Sequence, residues 1–180
     1  MMNLPCRQTW LAWLSWPIMT DIISNATPLI AFARIGQLPL MQKVVGQLVI
    51  PAAVAEEISA YRGSGAGQID LSQETWIRVE PLASNDQVRL LLPTLDRGEA
   101  AVIALALEKR ARLVLMDELT GRKVAESLQL RVTGSVGLLI QAKQLGEIKA
   151  IRPLLDAMHE AGIYFSQRFI DAVLRYVGEG

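Results

Sequence analysis

The feature that most restricts this chain is LVLMDELTGRKVA, residues 113 to 125: an apolar run, Leu113 to Met116, that ends in two acids and passes at once into a helical pattern. An apolar run without alternation belongs to a strand covered on both faces. The same punctuation recurs. DIISN (21–25), QLVIP (47–51) and LRVTG (130–134) are short strand-like runs, each followed by a helical stretch. Strands alternating with helices imply an α/β fold with a parallel sheet sandwiched between helical layers.

The intervening segments fit that plan. Thr27 is placed to cap a helix running to Gly36, with Pro28 in its first turn. A short helix is expected around Leu38 to Val45. AAVAEEISAY sets Val54 and Ile58 one turn apart on an inward face. YRGSGAGQ (61–68) reads as a loop, and TWIRVEP (75–81) alternates like an edge strand. LDRGEAAVIALALEKR is the clearest helix, with Val102, Ile103, Ala106 and Leu107 as its apolar face. KAIRPLLDAMHEAG and SQRFIDAVLRYVG close the chain as two helices. Their Ile151, Leu154, Leu155, Phe165, Phe169 and Leu174 suit either burial in the monomer or an interface.

Composition narrows the class. The chain has 180 residues, half of them hydrophobic, enough for one domain with a real core. Formal net charge is zero, so no global field draws it to nucleic acid or membrane. The single cysteine, Cys6, excludes an internal disulfide and the single histidine, His159, a Cys/His zinc site. A reducing, cytoplasmic setting is expected. Residues 1–18 differ from the rest, with Trp10, Trp13 and Trp16 three apart. They read as an extension from a mis-chosen start, ahead of a single domain over 19–180. An interfacial helix or a signal peptide are the alternatives, and the stretch is too short to span a bilayer.

In open parallel sheets ligands bind beyond the carboxyl ends of the strands. The polar residues expected there are Asn25, Glu56 and Glu57, Asp96 and Glu99, Asp117 and Glu118, and Thr133 with Ser135. Each has a plain reading. Asn25 suits a turn, Glu57 a solvated helix face, Asp96 and Glu99 a capping box, and Asp117 the cap of the next helix. Together they repel one another unless a cation lies between them, and oxygen donors without His or Cys suit Mg2+ or Mn2+. No GxGxxG or GxxxxGK[ST] occurs to support a nucleotide-binding reading.

The ordered blocks SNATPLIAFARIG, VIPAAVAEEI, DRGEAAVIALA, LVLMDELTGRKVAE and VTGSVGLL resemble a PIN domain, specifically a prokaryotic branch that travels with toxin–antitoxin systems (VapC-like). The resemblance implies a three-layer α/β/α nuclease fold and a Mg2+- or Mn2+-dependent endoribonuclease. It implies RNA as substrate, a cognate antitoxin as partner, and a homodimer. Carried over position by position, the catalytic and metal-holding set falls on Asn25, Glu57, Glu99 and Asp117. Arg122, Thr133 and Ser135 are candidates for substrate contact. Arg122 equally suits a plain ion pair with Asp117.

One position departs from the pattern: the usual first-strand acid is Asn25. Asp21 cannot replace it, since four extended residues put it roughly 13 Å away. The site then carries at most three carboxylates, and low or conditional activity is expected. The alternative is a catalytically impaired module that binds RNA or antitoxin.

Overall fold

The computed structural model describes residues 21–62 and 67–180. The reading of residues 1–18, with Cys6 and the three tryptophans, lies outside the described residues, as does the centre of the 61–68 loop. Among the described residues, five strands form one parallel sheet in the order β3-β2-β1-β4-β5. They are β1 (Ile22–Ser24), β2 (Leu48–Pro51), β3 (Ile77–Glu80), β4 (Leu113–Leu115) and β5 (Val132–Thr133). The helices are α1 (Ala26–Arg34), α2 (Leu38–Val45), α3 (Ala52–Ala60), α4 (Asp86–Leu91), α5 (Arg97–Lys109), α6 (Leu119–Ser127), α7 (Ser135–Gln144), α8 (Arg152–Glu160) and α9 (Gln167–Tyr176). The expected α/β architecture is present, a parallel sheet flanked by helices.

The strands are short and apolar because both faces are covered: β1, β2 and β4 are buried at every position. Strand β3 lies at the sheet edge, and the alternation expected of it does not hold: Trp76 and Ile77 are both buried and Arg78 and Val79 both exposed, because an edge strand has less to cover it. The chain turns one way from β1 to β2 and β3, and the other way through β4 and β5. The reversal falls between the paired strands β1 and β4, the place beyond whose carboxyl ends open parallel sheets bind ligands.

Two local expectations change. Helix α1 begins at Ala26, with Asn25 as its N-cap residue, so Thr27 lies inside the first turn and does not cap. Helix α5 is buried on every side from Gly98 to Ala106, beyond the single apolar face expected of it. It packs against β1, β2, β4, α3 and α4, and a helix at the centre of a domain needs no polar face. Helices α8 and α9 cover the far side. Ile151, Leu155 and Leu174 are buried there, with Leu154, Phe165 and Phe169 packed against the core. Within the described residues no helix is long and apolar enough to cross a membrane.

Candidate metal centre

The sheet register sets the site. Ser24 pairs with Leu115, and the Asn25 amide donates to the Leu115 carbonyl at 3.1 Å. On the other side of β4, the Met116 amide donates to the Thr133 carbonyl at 2.8 Å. Asn25, Asp117 and Gly134 therefore leave three adjacent strands at the same end. Glu57 on α3 and Glu99 on α5 come from helices that pack against each other.

Glu99 has two jobs, one for each oxygen. Asp96 caps α5 by accepting the Glu99 amide at 2.7 Å, and Glu99 Oε2 accepts the Asp96 amide at 3.2 Å. The capping-box reading is correct, but it uses one oxygen only. Oε1 is buried without a hydrogen-bond partner, and so is Asn25 Oδ1. A buried oxygen left bare costs roughly 1–3 kcal/mol. A cation or a trapped water relieves that cost.

Three glycines make room around these acids. A Cβ on Gly98 would stand 2.7 Å from Glu57 Oε2. One on Gly121, in α6, would collide with Met116 Sδ and lie 2.9 Å from Glu99 Oε1. One on Gly134 would collide with Asp117 Oδ1 and lie 3.0 Å from an Arg122 nitrogen. The expected site set omitted all three. The signal was present in Gly98 and Gly121, because glycine inside a helix costs about 1 kcal/mol relative to alanine and wants a packing reason.

Asp117 does cap a helix, but not the one that follows it in sequence. Its Oδ1 accepts the Ser135 amide at 2.7 Å and its Oδ2 the Ser135 hydroxyl at 2.6 Å, which ties β4 to the first turn of α7. Ser135 thus touches Asp117 directly, while Thr133 enters through its backbone. Arg122 donates to the Met116 carbonyl at 3.2 Å. Its charge reaches Asp117, but among the described residues no ion pair joins the two, so the plain ion-pair reading of Arg122 is not what forms. Asp21 stands at the other end of β1 and pairs with Arg78 at 2.8 Å. His159 is exposed.

Burial acts in the same direction on Glu57, Glu99 and Asp117. Burial pushes the Glu99 carboxyl above the ordinary range; its bond from the Asp96 amide opposes this, and the charges of Asp96, Glu118 and Glu57 add to it. Loss of hydration, then the Asp96 charge, raises Glu57. Burial likewise raises Asp117, against the pull of the two Ser135 bonds and Arg122. Glu118, the exposed residue before α6, adds charge near Glu99 and forms no cap bond. Among the described residues no three Asp, Glu, His or Cys side chains form a metal-holding group on their own. The fit to a hard cation comes from the mixed donor set and above all from the bare oxygens of Asn25 and Glu99.

A family model described as a PIN domain (DUF3368) matches residues 21–179. The chain belongs to the PIN-domain family. The fold is therefore of nuclease type, and PIN nucleases generally use divalent metals. A search of curated proteins finds no match.

Proposed function

We propose that this PIN domain is a metal-dependent endoribonuclease that hydrolyses RNA phosphodiesters with Mg2+ or Mn2+ held by Asn25, Glu57, Glu99 and Asp117. The supporting observation is the pair of buried, unpartnered oxygens, Asn25 Oδ1 and Glu99 Oε1, at the sheet's switch point. A bound divalent ion supplies Lewis-acid charge to the phosphodiester and lowers the pKa of attacking water. The chain's own part is positional. The α5 cap fixes Glu99, the Ser135 bonds fix Asp117, and Asn25 is anchored by its amide on β4. Burial raises the carboxyls of Glu57 and Glu99, the charge of Asp96 adds to both, and a cation beside them would offset that cost.

By the same resemblance, this would be the cytoplasmic toxin of a toxin–antitoxin pair, a homodimer bound by a small antitoxin. Exposed Leu90, Leu92, Leu119 and Tyr164 offer apolar contact for such partners. A second reading has its own support. Asn25 brings no charge, and both Asp117 oxygens already accept bonds from Ser135, which suits an impaired site kept for binding.

RNA cleavage in Mn2+ or Mg2+ against EDTA decides between them, with Asp117→Asn and Asn25→Asp run alongside. Cleavage lost in EDTA and in Asp117→Asn supports the nuclease. Cleavage only from Asn25→Asp shows a site silenced by one missing charge. A folded protein that cleaves nothing in any form favours the binding module.

A further inference from the structure

We propose that Arg122 is the phosphate-holding group of this site, gripping a phosphodiester oxygen of the RNA next to the metal position. The inference rests on the nuclease reading and adds to it the group that meets the substrate's charge. Arg122 lies on the second turn of α6, half-buried, with its guanidinium in the gap between the end of β4 and the start of α7. A guanidinium carries five N–H donors, and one is spent here, on the Met116 carbonyl.

Arg97 pairs with Glu56 at 3.0 Å and Arg78 with Asp21 at 2.8 Å, both on the surface. Arg122 is more buried than Arg97, yet no carboxylate stands within ion-pair distance of it among the described residues. The single bond to Met116 holds the fork in place without using up its outer edge. Asp117, whose carboxyl feels the Arg122 charge, turns both oxygens to Ser135 and forms no ion pair with the arginine. The helix end beside it offers no substitute, since Asp117 already takes the Ser135 amide.

The charge balance asks for such a group. Glu57, Glu99 and Asp117 with one divalent ion leave a net negative centre, and an RNA phosphodiester adds another negative charge. A fixed cation at the rim offsets it, and a planar fork meets two phosphate oxygens better than a point charge does. The neighbouring Lys123 is exposed and serves as the control for general loss of charge.

The test measures binding of a labelled single-stranded oligoribonucleotide to the full chain by anisotropy in EDTA as KCl is raised. KM and kcat for its cleavage in Mn2+ are measured in parallel. Arg122→Gln should weaken binding about ten-fold and flatten the plot of log affinity against log salt by about 0.7, the share of one phosphate contact on a single strand. KM should rise with kcat nearly unchanged. Arg122→Lys should restore the salt slope but not the whole affinity, and it decides the case if Arg122→Gln fails to fold. Lys123→Gln should change little. Arg122→Gln behaving like Lys123→Gln would overturn the proposal. So would unchanged binding and KM with a fall in kcat, which would make Arg122 a prop for Met116 and Asp117. A parent protein that neither binds nor cleaves RNA would instead bring down the nuclease reading itself.

Discussion

Asp117 and Glu179 are both carboxylates that cap a helix far from them in sequence, and they end in opposite electrostatic states. Glu179 accepts the Ile151 amide at 2.8 and 3.0 Å and the Arg152 amide at 3.0 Å, at the start of α8, and Lys143 at 2.6 Å. Burial pushes its carboxyl up, but the lysine bond, the two amides and the lysine's charge outweigh that and hold it below the ordinary range. Asp117 has the Ser135 amide and hydroxyl, a more distant arginine, and deeper burial, and its carboxyl is raised. A carboxylate with its charge answered inside the protein is a fastening. Asp117 stays raised despite its two bonds and the Arg122 charge, and with raised Glu57 and Glu99 and the bare oxygens of Asn25 and Glu99 it forms the setting that the proposed cation would relieve.

The largest effect is expected at Glu99. Glu99→Gln keeps an acceptor for the Asp96 amide, so α5 stays capped while the charge is lost. Cleavage in Mn2+ should fall roughly 100-fold or more, and the rise in Tm on adding Mn2+ should vanish. A variant with full activity would make Glu99 a cap and nothing else. Glu179→Ala tests the opposite corner. It strips α8 of its cap and removes the ion-pair partner of Lys143, whose bond to the Val177 carbonyl remains, and should cost about 2 kcal/mol, or roughly 4–8 °C in Tm. The Mn2+-induced shift should stay as in the parent.

Acidity sharpens the same contrast. The carboxyls of Glu57, Glu99 and Asp117 are raised, so protons compete with a cation for them above the ordinary carboxylate range. The Mn2+-induced rise in Tm should shrink as pH falls from neutral toward that range. Without metal, the same raised groups favour the folded protein at the lower pH, where they are protonated. Glu179 has the opposite sign: its contribution is present above the unfolded carboxylate pKa and is lost as pH falls through its depressed folded value. Differential scanning fluorimetry across pH, with and without Mn2+, reads both trends. The smallest effect belongs to Ser135→Ala, which removes the hydroxyl bond to Asp117 and leaves the amide bond. It should cost about 1 kcal/mol and a few-fold in rate.

Much of the fold was written in local sequence. An unalternating run as short as LVLM, closed by polar residues, fits a doubly covered strand, and LDRGEA carries its own helix start through Asp96 and Glu99. The two acids after LVLM also announced a strand end beyond which chemistry was to be sought. Local sequence did not tell which helix Asp117 caps, because Ser135 comes next to it only through the pairing of β4 with β5. Nor did it tell that Glu99 divides its two oxygens between a cap and the site, or that Arg122 would stand beside Asp117 without pairing with it. Gly98, Gly121 and Gly134 matter for what their missing side chains let in, and the neighbours concerned belong to other segments. Strands, helices and the kinds of donor atom follow from near neighbours along the chain, so they are legible residue by residue. Which donors come together beyond the strand ends, and which stay bare, follows from sheet order and burial, which are long-range, and burial sets the cost of a buried charge.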